Sequence, residues 1–159
     1  MRSELDTIRA LYQYNSQVRK KYLAIIWRLP LKERYKARGA SYPSLVDIYL
    51  HVLDAYRFWF YTVYDRDTNW TEYPLGVRLT RAQAVREEQK IDRFLRATLS
   101  KLRPGDLTRR FRVRPSGKER ISLRVLLIHM AEEELQHRGE MNALLWQANV
   151  EPPVTGFDE

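Results

Sequence analysis

Four long segments of the chain carry apolar residues at every third or fourth position, which is the periodicity of amphipathic helices. They cover residues 3–29, 44 to about 64, 80 to about 103, and 122–148. Four such helices around a shared core predict an all-α fold, a four-helix bundle. At 159 residues the chain is long enough to build that core within a single domain over residues 1–159.

The segment between the third and fourth helices has a different pattern. Phe111 and Val113 alternate with arginines, and the turn signal Pro115-Ser116-Gly117 follows, which predicts a short β-hairpin or an extended arm. Residues 108–120 are also strongly basic in a chain whose net charge is +8. The basic side chains are Arg109, Arg110, Arg112, Arg114, Lys118 and Arg120. Nucleic-acid binding through this arm is one hypothesis, but it ranks last because hairpin arms in basic proteins are commonly just solvated.

Two features of composition narrow the choice of chemistry and location. The chain has no cysteine, which excludes disulfides, thiolate metal ligands and a cysteine nucleophile. Its first ten residues include acids and no apolar run, unlike a signal peptide. No segment approaches the roughly 18 uninterrupted apolar residues of a membrane span. We therefore expect a cytoplasmic protein that does not enter membranes.

The last helix carries the residues with the most chemical potential. At about 100° per residue, His137 and Glu134 fall inside the apolar stripe and Glu133 falls on its edge. Charged and imidazole groups on a core face cost free energy unless each finds a partner. His51, on the flank of the second helix's stripe, provides one. The hypothesis is a metal site of His51, His137 and one glutamate, whereas hydrogen-bonded core or surface histidines are the simpler interpretation.

Such a site would hold its metal through three protein ligands and keep positions open, which is the catalytic pattern. Nitrogen and oxygen ligands without sulfur suit zinc, nickel, iron or manganese. The helical geometry leaves Glu133 and Glu134 as alternatives for the third ligand, and His129 could displace either one.

Several motifs together resemble the DinB/YfiT-like superfamily of four-helix bundles. They are His51 in the second helix, Tyr14-Asn15 in the first, and His137-Arg138-Gly139-Glu140 in the last, followed by NALLWQ and Pro152-Pro153. The resemblance implies a divalent metal held by His51, His137 and position 133, where the family has histidine and this chain has Glu133. It favours Glu133 over Glu134. For the metal itself we favour zinc or nickel, with iron or manganese as the alternatives.

The resemblance also implies a function. It indicates a metal-dependent enzyme, a thiol S-transferase or a small hydrolase, acting on a small molecule with a low-molecular-weight thiol as the second partner, in a homodimer. The alternative is a binding or structural protein in which the metal only ties helices together.

Further residues receive supporting roles in this interpretation. We expect Asp47 and Asp54 to accept hydrogen bonds from His51 or to lie on the surface, and Arg138 to pair with an acid on a neighbouring helix. Gly139 is expected to allow close helix packing. Residues expected either to line the approach to the site or to pack in the core are Tyr14, Asn15 and Trp59.

Overall fold

The computed structural model describes residues 3–114 and 116–156. Its elements are α1 (Glu4–Ile26), α2 (Leu31–Arg34), α3 (Leu45–Tyr56), a π-helical segment (Arg57–Asp65), α4 (Arg81–Lys101), a 3₁₀ turn (Pro104–Thr108), β1 (Arg110–Arg112), β2 (Arg120–Ser122) and α5 (Leu123–Gln147). The long helices confirm the predicted all-α bundle. Strands β1 and β2 confirm the short hairpin predicted before the last helix. Within the described ranges, every helix is too short or too polar to cross a lipid bilayer.

The starts of the long helices follow from their capping residues. Ser3 and Thr80 each accept a hydrogen bond from the backbone N–H three residues on, and Asp6 and Gln83 return the bond to complete two capping boxes. Ser44 accepts from the backbone of Asp47 and caps α3 in the same way. These are the positions at which the sequence predicts helices to begin.

Three details differ from the prediction. Helix α1 ends at Ile26 instead of continuing to residue 29, and the short helix α2 follows it. The second predicted helix is α-helical only as far as Tyr56, after which it continues as nine residues of π-helix. Wider π-helical turns are rare and occur most often near functional sites. Pro115, the first residue of the predicted turn, lies outside the described residues, as do residues 1–2 and 157–159.

Helix α3 lies against α5, and α1 lies against both α4 and α5 around a continuous apolar core. In α3 every residue except His51 is buried. Helix α3 is therefore the central element of the bundle, and His51 lies on its one partly exposed position.

The hairpin precedes α5 and packs on the π-helical segment. Its strands are antiparallel, with Phe111 opposite Ile121 and Arg112 opposite Arg120. Phe111 is buried, and its ring lies 5.3 Å from that of Tyr64. Because successive side chains of a strand point to opposite faces, the arginines lie on the outer face of the hairpin.

Candidate metal centre

Helices α3 and α5 bring three potential ligands together. His51 comes from α3, whereas Glu133 and His137 stand one turn apart on α5. One ligand atom from each residue lies within 4.8 Å of the other two. We call these three residues the candidate metal centre. Their side chains are partly exposed, at 24% for His51, 21% for Glu133 and 12% for His137, so the centre opens to solvent.

The carboxylate of Glu133 connects the two sides of the centre. Its Oε1 lies 3.5 Å from His51 Nε2, and its Oε2 accepts a hydrogen bond from the Trp59 indole N–H at 3.2 Å. The same Oε2 lies 3.5 Å from His129 Nε2. The hydrogen bond with His51 lowers the pKa of Glu133 and outweighs burial, which would raise it. Glu133 is therefore an anionic donor at neutral pH.

The ring of His137 is oriented by a carboxylate on its own helix. Glu140 Oε2 lies 2.8 Å from His137 Nδ1 and also accepts a hydrogen bond from the Ser41 hydroxyl at 2.6 Å. Burial would raise the pKa of Glu140, but the bonds with Ser41 and His137 lower it. An anionic Glu140 favours the proton on Nδ1, which leaves the lone pair on Nε2 available as a ligand.

The ring of His51 is fixed by aromatic contacts. It stacks on Tyr42 with ring centroids 4.1 Å apart, and it meets the His137 ring edge-on at 4.7 Å. Neither Tyr42 nor the role of Glu140 was predicted from the sequence. Only the three-residue spacing from His137 to Glu140 could have indicated that role.

These three residues suit a divalent cation by their chemistry and spacing. Two imidazole nitrogens and one carboxylate oxygen form a common open donor set. Donor atoms about 2.1 Å from one tetrahedral ion lie roughly 3.4 Å apart, so the set needs only a modest contraction from its present spacing of at most 4.8 Å. The site could therefore hold a metal ion.

The structure places Glu134, the rival for the third ligand, in the core instead. It is 2% exposed, and its carboxylate accepts hydrogen bonds from Arg19 at 2.8 Å and from the Tyr56 hydroxyl. Arg138 Nη2 approaches its other oxygen at 3.4 Å. The apolar stripe correctly identified a buried carboxylate, but its partners are arginines.

His129 lies beside the centre but outside the close set. Its side chain is 45% exposed, and its contact to Glu133 is through the oxygen that Trp59 also binds. Its ring meets Trp59 edge-on at 4.9 Å. Among the described residues, His129 therefore does not displace Glu133 from the close set of ligands.

The two aspartates on either side of His51 bind the loop that follows the π-helix. Asp47 accepts from the Gly76 backbone at 2.6 Å and Asp54 from the Tyr73 backbone at 2.8 Å. Both are buried, at 6% and 7% exposure, so the expected surface placement is wrong. Their role is to hold residues 66–80 against α3, next to His51.

Other supporting residues are corrected in part. Arg138 pairs with Glu134 of its own helix and donates to Asn15 of α1 at 3.0 Å, so its acid does not come from a neighbouring helix. Gly139 is exposed, and a Cβ built there meets no atom within 4 Å among the described residues. It therefore makes no close helix contact, contrary to expectation. Tyr14 lies under Arg138 and donates its hydroxyl to the Thr155 carbonyl.

A family model described as the DinB family matches residues 1–158. The chain belongs to the DinB family. A comparison with curated proteins found no match. Membership in a metal-binding family agrees with the His-Glu-His cluster and with the helical fold.

Proposed function

We propose that this DinB-family protein is a divalent-metal-dependent enzyme, of the thiol S-transferase type or a small hydrolase. The observation that carries the proposal is the convergence of His51, Glu133 and His137, whose ligand atoms lie within 4.8 Å of one another. His51, Glu133 and His137 would hold the metal. Zinc or nickel is the metal we favour, and iron or manganese would also suit two imidazoles and one carboxylate.

The exposure of the centre supports a catalytic role over a purely structural one. Structural sites are closed by four protein ligands, whereas catalytic sites keep a position for water or substrate. Three side chains that are each partly exposed fit the second pattern. A bound divalent cation supplies the chemistry by lowering the pKa of a water or a thiol, so that the nucleophilic anion is present near neutral pH.

The surrounding residues would position this site. Glu140 and Ser41 hold the His137 ring, and the Trp59 indole holds one oxygen of Glu133. On the other side of the centre, a cavity of about 300 Å³ lies between α3 and the loop 66–80. We call it the loop recess; it is lined by Tyr42, Asp47, Leu50, His51, Asp54, Glu72, Tyr73, Pro74 and Leu75. It supplies a polar approach to His51.

A second candidate is a non-catalytic protein in which the metal stabilises the packing of α3 on α5. The fact that the ligands come from both helices favours it. The two candidates differ in the effect of His137→Ala. With zinc present, a structural metal would make that variant much less stable than the wild type, whereas a catalytic metal would leave the stabilities of the two proteins close.

The experiment is a stepwise test of the wild type purified without a metal-affinity tag. Elemental analysis and zinc or nickel titration first measure stoichiometry. Activity is then measured with electrophilic substrates in the presence of low-molecular-weight thiols. It is measured separately with ester substrates in the absence of any thiol. Turnover that needs both the metal and a thiol supports the transferase, and thiol-independent turnover supports the hydrolase. Metal binding without turnover, combined with a large fall in stability on chelation, would favour the structural candidate.

A further inference from the structure

A groove beside the candidate metal centre has a lining unlike that of the loop recess. It runs between the hairpin and α5, has a volume of about 340 Å³, and is lined mainly by Trp59, Val113, Ile121, Val125, Ile128 and His129. We call it the hairpin groove. Its volume falls at the lower end of the range for small-molecule sites, which is enough for one ring system.

The hairpin groove is continuous with the centre through two shared side chains. Trp59 donates to Glu133 Oε2 at 3.2 Å, and His129 lies 3.5 Å from the same oxygen. Both side chains also line the groove. A group bound in the groove would therefore be separated from Glu133 only by Trp59 or His129. It would lie near Oε2 of Glu133, whereas His51 lies near Oε1.

Two apolar side chains of the groove are strongly exposed to solvent. Val125 and Ile128 lie one turn apart on α5 and are 49% and 51% exposed. Contiguous exposed apolar surface commonly marks a binding groove. Here it lies next to a candidate reactive centre, which favours a small ligand of that centre as its occupant.

The charged residues at the margin of the hairpin groove narrow the chemical class of its ligand. Glu119 and Glu132 also line the groove, whereas Arg110, Arg112 and Arg120 are exposed on the alternate residues of the hairpin. Successive side chains of a strand point to opposite faces. Carboxylates at the margin disfavour an anionic ligand and leave an apolar, uncharged group as the best match.

We propose that the hairpin groove is a substrate subsite that binds an uncharged apolar group the size of an aromatic ring system. The inference rests on the proposed metal-dependent function and names the class of its substrate. The reacting end of the substrate would lie at the centre, and its apolar group would lie against Trp59 and Ile128.

The test is a titration of the protein with indole, monitored through the methyl resonances of isotopically labelled valine and isoleucine. We expect indole to shift the resonances of Val113, Ile121, Val125 and Ile128, and indole-3-carboxylate to bind more weakly. Ile128→Ser should weaken indole binding about fivefold or more, because it removes a branched apolar contact. Leu135→Ser is the matched control, since Leu135 lies on the same helix, is 60% exposed and is outside the groove lining.

Equal indole affinity of the two variants, or no shift of the groove methyl groups, would overturn the inference. The Leu135→Ser affinity should remain within about twofold of the wild type, as for most surface substitutions. Zinc titrations of the same samples separate this test from that of the proposed function. Zinc binding by Ile128→Ser at wild-type affinity shows that the centre is intact. Failure of zinc to bind the wild type while indole binds in the groove would overturn the proposed function alone.

Discussion

The adjacent residues Glu133 and Glu134 should respond in opposite ways to the same substitution. Glu134→Gln removes a charge that is 2% exposed and hydrogen-bonded to Arg19, whose side chain is 1% exposed. Burial would lower the pKa of Arg19, whereas the charge of Glu134 raises it. The guanidinium stays charged in the variant nonetheless, because arginine has an ordinary pKa far above neutral. Glu88, at 3.3 Å, is then its remaining carboxylate partner.

Leaving a buried charge partly uncompensated typically costs about 3 to 5 kcal/mol. We expect a loss of this size in the free energy of unfolding of Glu134→Gln, which is a large fraction of the roughly 5 to 15 kcal/mol of a typical domain. Glu133→Gln should lose less than about 1 kcal/mol, since its carboxylate is partly exposed. Glu132→Gln, an exposed neighbour, is the matched control and should match the wild type.

The assay is urea unfolding of the three variants in the presence of a chelator, with zinc titration of the folded proteins. Glu133→Gln should lose zinc affinity, whereas folded Glu134→Gln should keep it. A stability loss below about 1 kcal/mol for Glu134→Gln, or loss of zinc binding in Glu134→Gln with retention in Glu133→Gln, would refute the assignment of these two residues.

Three further variants test one residue beside the centre and two elsewhere in the bundle. Glu140→Gln should weaken zinc binding roughly tenfold or more in a competition titration, because a carboxylate that orients a ligand histidine contributes that much; unchanged affinity would show that Glu140 does not orient His137. Gly139→Ala should raise the free energy of unfolding by about 0.5 to 1 kcal/mol, because alanine is the better helix former and no atom of the described residues lies within 4 Å of the added Cβ. Destabilisation would reveal a contact at this face. The third variant concerns Asp92. Burial would raise the pKa of Asp92, but the hydrogen bonds that its carboxylate accepts, including one from Ser16, lower that pKa below the ordinary 3.8. The stability that this lowered pKa contributes is present above pH 3.8 and is lost as the pH falls through the folded-state pKa. Asp92→Asn should therefore make the free energy of unfolding fall less steeply at acidic pH. An unchanged acid dependence would contradict this prediction.

The predictable part of the fold is the part encoded locally. Apolar periodicity and the caps Ser3, Ser44 and Thr80 determine where helices begin, and these residues are visible in the sequence. The change from α-helix to π-helix after Tyr56 was not predictable, because it depends on packing against other elements. Arg57 shows this, since it bonds Asp54, Tyr73 and Glu87 from three different segments.

The candidate site was predictable to a similar degree. Helical geometry identified His51 and His137 but could not choose between Glu133 and Glu134, because it cannot show which buried carboxylate has an arginine nearby. Arg19, the deciding residue, is 115 residues away in sequence from Glu134. The expected role of Gly139 was wrong for a related reason, since a glycine in a helix faces solvent as readily as it faces a neighbouring helix.

The central claim is tested most directly by metal stoichiometry. Wild-type protein purified without a metal-affinity tag and titrated with zinc should bind about one equivalent. His51→Ala and Glu133→Gln should both lose that binding while remaining folded, and Glu132→Gln should retain it. Less than about a tenth of an equivalent in the wild type, with none taken up on addition, would contradict the account, and so would undiminished binding in both site variants.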